Sequence, residues 1–505
     1  MKKINSLVFI ACLSASVSFA QNVGIGQAIP LNRLHVTAAS NPLRLDGLQS
    51  GAGTDSVLTV DATGVIRKRT NSSFIGSAGW SLTGNAATSS VTNFIGTADQ
   101  VALIFRTNNL RSGLIDFDST KRNTSFGNRA MAATITGSGN SGYGYQALNK
   151  LTSGYNNVSI GDSSAFNLNT GYENVLIGTD AGQAITTGFQ NVAIGVRSMA
   201  TNSAGEGNIA LGYKSLEDNI GSENIAIGLL AMSNNTGGTS NIAIGSQALL
   251  NNLTAFNNYG IGSNALGLVT TGNENLAYGI KALDSITTTT QNTAIGHYAF
   301  GLETNGGNNT ALGYQAGGFM KNGNNNTFLG MGADVTPITL TPTNSTALGS
   351  NALVTQNNMV RIGSTAITLI GGSVGFTTIS DERVKINIKQ NVPGLDFIAR
   401  LRPVTYQYDL RKIDDLQAVP ESKRYYDGEK EKIRYTGFLA QEVRDAAIQS
   451  GYDFSAVSVP KNNTSLYGIN YSEMVVPLVK AVQELKQMVE QQQQEIQQLK
   501  AKLKQ

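Results

Sequence analysis

The chain has 505 residues, 37 Lys+Arg against 34 Asp+Glu, and only 14% of it is charged. A net charge of +3 without a basic stripe excludes an electrostatic nucleic-acid binder. One Cys (Cys12) and two His (His35 and His297) exclude a disulfide framework and a Cys/His zinc site, so no metal or other cofactor is expected.

Residues 1–20 read as a secretory signal peptide. Lys2 and Lys3 supply the charged start, Leu7–Leu13 the apolar run, and Ser18 and Ala20 the small residues before a cut at Gln21. The run is far short of the roughly 20 apolar residues that span a bilayer, and no other segment is a candidate. A secreted or cell-surface location follows, with no membrane span after signal removal. Residues 21–122 form an irregular β-rich stretch with short β-like runs at 56–60 and 101–105. Trp80, the only Trp, reads as a core or interface anchor.

From 123 to 375 the chain repeats. Glycines recur at Gly127, Gly144, Gly161 and onward to Gly330 in steps of 17, with one step of 16 from Gly212 to Gly228. Four positions before each stands an Asn, from Asn123 and Asn140 through Asn326. An aliphatic or aromatic residue precedes the Gly, an Ala commonly follows three later, and a second Gly commonly ten later, as at Gly154, Gly171 and Gly188. A fixed short period is the mark of stacked repeats. Seventeen residues are too few for a helix pair and suit one coil of a parallel β-solenoid, with two short strands per coil. The glycines fall where positive φ or close backbone approach is needed. The Asn column stacks into a hydrogen-bonded ladder, and coils advancing about 4.8 Å each build a rod roughly 60 Å long. The motif resembles the head repeats of trimeric autotransporter adhesins, which implies a β-roll of three chains; Asn22–Gly26 and Leu34–Val36 look like the entry segment of such fibres.

About half of the charged residues lie after residue 380. This block carries Ser380-Asp381-Glu382-Arg383-Val384-Lys385, then Leu401–Tyr406, Gly437–Val443 and Tyr467–Tyr471, in that order. The set resembles the endosialidase-type C-terminal domain of phage tail fibres, an intramolecular chaperone that trimerises the fibre and cuts itself off. The resemblance implies a small α+β domain over 376–476, a cut between Ile379 and Ser380, and a Ser380–Lys385 catalytic dyad. A Ser hydroxyl attacks only when a base takes its proton. With no usable His, Lys385 is the basic side chain close by. It acts only when neutral, a state favoured by burial or by the charge of Arg383. Asp381, Glu382 and Arg383 read as structural ion-pair formers, and Gln441 and Glu442 as site neighbours.

The tail, 477–505, reads as a coiled coil. Val482, Val489, Ile496 and Leu503 take a positions, and Leu478, Leu485, Gln492 and Leu499 take d. β-Branched a with Leu at d nominally favours two strands, whereas both resemblances imply three. The expectation is thus an exported homotrimeric fibre of mostly β class. Its outside partner would be a cell-surface glycan or host receptor. Competing readings are a polysaccharide- or ice-binding solenoid, suggested by a broken Thr column (Thr152, Thr170, Thr186, Thr236, Thr254, Thr270, Thr304), and a depolymerase fibre. The latter needs paired carboxylates, whereas Glu173, Asp180 and Glu223 stand singly.

Overall fold

The computed structural model of the protein describes residues 95–303 and 305–504, Thr63, and four short strands near the N-terminus. The signal peptide, Cys12, Trp80 and Thr304 lie outside the described residues. The chain forms two units that divide at Gly96 and Thr97. In the first, Val23–Ile25 pairs in parallel with Leu34–Val36, and Val57–Val60 pairs antiparallel with Ile66–Arg69.

The second unit opens with a hairpin, Leu103–Thr107 against Leu110–Ile115. Its two-residue loop, Asn108-Asn109, is left-handed at both positions (φ 47° and 60°), the geometry that suits the twist of hairpin strands. Leu110–Ile115 pairs antiparallel with Thr124–Phe126. Every later strand of this ladder pairs in parallel with the one before, for about 14 turns, ending at Val360–Ile362. The hairpin therefore covers the first edge of the ladder, which would otherwise be open to pairing with other chains.

Each coil contributes a three-residue strand whose middle residue points inward, as period-two geometry requires. Ala193, Ala210, Ala226 and Ala243 are such residues and are fully buried. The Gly that follows has two constraints. At Gly228 φ is +139°, and an added Cβ would sit 2.5 Å from the carbonyl oxygen of Gly245 in the next coil. In the early coils the second Gly has only the steric one: a Cβ on Gly171 would lie 2.2 Å from the Gly188 oxygen.

The two strands per coil expected from the period are not what forms. After the Gly, non-glycine residues turn left-handed, as at Leu230 (φ 56°) and Met232 (φ 50°). This interrupts extended geometry, although the backbone still bonds to the next coil, as in Met232 N–H to Ala248 O at 3.0 Å. Each left-handed non-glycine residue costs roughly 1–2 kcal/mol. The Met232 side chain is fully buried, as are Leu216 and Leu249 in neighbouring coils. A second ladder appears among the described residues only where Asp334–Val335 pairs with Leu353–Val354.

The Asn column forms as expected. No member from Asn123 to Asn326 is more than 1% exposed. Asn241 is typical: its amide donates to Asn224 Oδ1 at 3.1 Å and to Ala255 O at 2.8 Å, and its own Oδ1 accepts the Asn258 N–H at 2.9 Å. The backbone N–H to Oδ1 link is unbroken to Ser345, which takes the last place. A second, shorter stack lies inside the coils at Asn202, Asn219, Asn235 and Asn252, with Asn252 donating to Asn235 Oδ1 at 2.9 Å. Farther along, Glu303 is fully buried. Asn309 donates to its Oε1 at 2.8 Å, and its Oε2 has no partner.

After Ile362, residues 363–366 are still covered, the chain runs exposed from Ile367 to Asn391, and it then forms the small α+β block. Its helices are α1 (Leu395–Ile398), α2 (Leu410–Leu416), α3 (Glu429–Lys432), α4 (Ala440–Gln449) and α5 (Val475–Lys502). Val404–Tyr406 pairs antiparallel with Tyr435–Gly437. Phe397 of α1 and Val443, Ala446 and Ala447 of α4 form the core, with Tyr452 and Phe454 set edge-on to Phe397. Glu484 of α5 accepts the Leu395 N–H at 2.7 Å, fixing α1 to the long helix. The fold class is therefore as expected: a mostly β solenoid, a small α+β domain and a terminal helix. Among the described residues no helix is long and apolar enough to cross a membrane.

Two measurements test this account. Asn241→Ala leaves the Asn258 N–H buried without a partner and the Ala255 carbonyl with only the Asn252 amide at 3.2 Å, so it should lower unfolding free energy by about 2 kcal/mol in denaturant titration; a loss under about 0.5 kcal/mol would contradict the ladder's importance. Burial holds the Glu303 carboxyl well above its ordinary value, against the opposing effect of the Asn309 hydrogen bond. Its favourable contribution is complete below the unfolded-state value and is lost as pH rises through the native one. Glu303→Gln should therefore raise the melting temperature at pH 8 and change it little at pH 4.

Candidate active site and chaperone domain

Residues 380–385 fold back on themselves. Asp381 caps a 3-10 turn over Glu382–Val384, its carboxylate accepting the Arg383 N–H at 2.9 Å. The Arg383 guanidinium bonds to the same carboxylate through Nε at 3.0 Å. The Lys385 N–H closes the turn on Glu382 O at 3.0 Å. This reversal brings Lys385 Nζ to 2.9 Å from Ser380 Oγ, the Nζ–H donating. The two residues singled out for catalysis are thus in direct contact.

Their surroundings differ from the expectation. Burial or the Arg383 charge was to favour a neutral lysine. Ser380 and Lys385 are instead exposed, and Arg383 is neutralised by Asp381. The flanking side chains are apolar and open: Phe376 is 94% exposed, Ile379 85% and Ile386 85%. Val384, Ile386 and Ile388 alternate with Lys385, Asn387 and Lys389, the pattern of a half-buried strand, yet they face solvent. Within one chain nothing dries this site.

The other candidates are placed as follows. Glu442 is ion-paired with Arg402, and Gln441 lines a cleft with Tyr406, Phe438 and Tyr471. Asp381 and Arg383 form the expected pair. In the solenoid, Glu173 accepts from Gln190 at 3.0 Å, Asp180 from Gln183 at 2.9 Å and Glu223 from Ser240 at 3.2 Å. The Thr column is occupied by coil-to-coil bonding: the hydroxyls of Thr186, Thr236 and Thr270 donate to carbonyls of the next coil at 2.9–3.0 Å. Among the described residues no group of three or more His, Cys, Asp or Glu is placed to hold a metal ion.

One feature had no signal in the sequence. Lys423 reaches from the α+β block into the solenoid and meets Asp334 at 2.6 Å, with side chains 6% and 0% exposed. The two lie 89 residues apart and belong to no repeat or motif.

No curated protein matches the chain. Residues 380–452 match the family model described as chaperone of endosialidase, and the match begins on Ser380 itself. Behind a tail-fibre-like β-solenoid, the chain carries a C-terminal domain of the endosialidase-chaperone family.

Proposed function

We propose that this protein is an exported, homotrimeric, adhesin-like surface fibre. Its C-terminal domain assembles three chains and then cuts each between Ile379 and Ser380. The observation that carries the cleavage reading is the 2.9 Å contact of Lys385 Nζ with Ser380 Oγ, at the first residue of the family match.

The chemistry follows from the contact. A neutral Lys385 amine takes the Ser380 hydroxyl proton. The oxygen attacks the Ile379 carbonyl carbon, the C–N bond breaks, and the Ser380 nitrogen leaves with a proton. An ester joins Ile379 to Ser380 Oγ, and water hydrolyses it. Nucleophile and carbonyl are neighbours in the chain, so the attack has a large effective molarity. Both side chains are open to solvent, so the site needs a cover. The apolar side chains of Phe376, Ile379, Ile386 and Ile388 supply surface for neighbouring chains to bury. Cutting then follows assembly and reports its completion.

The trimer reading rests on two further apolar surfaces. Along α5, Leu478, Val482, Leu485, Val489, Ile496 and Leu499 are each about half exposed at heptad positions. Along the solenoid, the outer strand residues include Ile160, Ile194, Ile244 and Leu312, about 40% exposed. Parallel solenoids form slowly because distant pairing must precede any gain, and joining three chains at one end raises their effective concentration. The signal-like residues 1–20 support export. A glycan or receptor is the outside partner this reading implies.

On a denaturing gel the assembled wild type should yield a fragment of residues 380–505 beginning with Ser380. Ser380→Ala, Lys385→Ala and Lys385→Arg should all stay full length, the last because guanidinium remains charged. Equal cutting of wild type and Ser380→Ala would refute the dyad. Light scattering on Ser380→Ala should return three copies, whereas Leu485→Asp with Val489→Asp should shift it toward one and, in a Ser380 background, abolish cutting. A monomer or dimer for the parent at micromolar concentration would refute the trimer.

A further inference from the structure

We propose that the last solenoid turns and the 410–430 segment form a retention interface. It holds the C-terminal fragment on the solenoid after the Ile379–Ser380 bond is cut. The proposal rests on the cleavage reading above, but the interface itself does not.

Its contacts lie on opposite sides of the cut. On the solenoid side Asp334 is fully buried and accepts from Lys423 Nζ at 2.6 Å. The same ammonium donates to Gly332 O at 2.9 Å and sits 4.6 Å from the centre of the Phe319 ring. The Thr336 hydroxyl donates to Gln417 O at 2.6 Å, and Lys430 Nζ donates to Thr365 O at 2.6 Å. Asp414, 1% exposed, accepts from the Thr365 hydroxyl at 3.2 Å, and its charge acts on the partly buried Arg361. Leu353 of the solenoid and Val419 of the domain line the same seam. The solenoid residues in these contacts end at Thr365 and the domain residues begin at Asp414. The exposed stretch that contains the scissile bond makes none of them.

Cutting that stretch removes a tether and leaves the interface whole. For the fragment to depart, Asp334 and Lys423 must each give up a hydrogen-bonded charged partner. Loss of one partner from a desolvated, hydrogen-bonded charge pair acts mainly on the dissociation rate. Thr336, Lys430 and Asp414 add polar contacts that must separate in the same step. A cleaved domain so held goes on covering the last turns of the fibre.

The test separates retention from self-cleavage. In a Ser380→Ala chain that cannot cut itself, residues 371–375 are replaced by the recognition sequence of a specific protease. All five are exposed, and a Cβ added at Gly371 or Gly375 would meet nothing within 4 Å. The protein is immobilised by a tag at its solenoid end, digested to completion and washed in native buffer. Retention predicts that the C-terminal fragment stays on the support. It also predicts that Asp334→Asn and Lys423→Met each release it about tenfold faster or more. Thr336→Val, which removes only a hydroxyl, should give a smaller acceleration and guards against misfolding of the charge variants. A parent fragment that washes away at once, or one that leaves at the same rate from parent and Asp334→Asn, overturns the proposal. Failure of the wild type to cut itself would instead end the cleavage reading and leave this measurement standing.

Discussion

Coil-to-coil contact in this solenoid is so close that two positions in each turn have almost no choice of residue. Where the strand ends, a Cβ would overlap the backbone carbonyl of the next coil, so the position is Gly. Where the strand begins, one side chain must accept a backbone N–H above it and donate to a carbonyl beside it while fully buried. Asn does both with a short, planar amide. Glutamine is longer by a methylene, and aspartate would bring an uncompensated charge into each coil. Both constraints recur in every coil, and the single 16-residue step at Asn224 keeps the Asn link while shortening the turn between.

With that frame in place, the rest of each coil is free to vary, and its variation has consequences. The interior carries alanines and one or two larger apolar side chains per turn, such as Met232 alone or Leu283 with Ile286, enough to fill a thin core. Where the interior column becomes polar, Asn219, Asn235 and Asn252 bond to one another and all four asparagines bond to nearby backbone, although Asn202 Nδ2 and Asn252 Oδ1 lack partners. At Glu303 the satisfaction is incomplete, since one carboxyl oxygen lacks a partner. This is the point in the stack where the state of a proton enters the stability of the fibre.

The C-terminal end obeys a different logic. The last ladder steps are irregular, 19 residues to the Ser345 place and then 14. Repetition gives way here to individual contacts, the Asp334–Lys423 pair foremost, which dock an α+β block onto the solenoid. By contrast the Ser380 turn and the α5 seam keep their apolar residues in water. The chain thus buries the Asp334–Lys423 charges at one place and leaves Phe376, Ile386 and Leu485 open at others, which is the surface the proposed assembly would cover. Ser380 and Lys385 are already in contact there, and under the proposed function what they lack is a dry cover supplied by further chains.

The amino-acid order alone settled the solenoid's period, its Asn and Gly columns and the family likeness of the charged C-terminal block. All are local or periodic, so each is written again in every coil or within a few adjacent residues. The Ser380–Lys385 pairing was legible for the same reason: one tight turn spans it. The tertiary structure decided that a coil has one strand, because left-handed Leu230 and Met232 are indistinguishable by type from ordinary core residues. It also decided that Asn202, Asn219, Asn235 and Asn252 stack, that Arg383 is cancelled by Asp381, and that Lys423 meets Asp334. These depend on where side chains aim after the chain has closed on itself, and no spacing encodes that when the partners are distant and occur once.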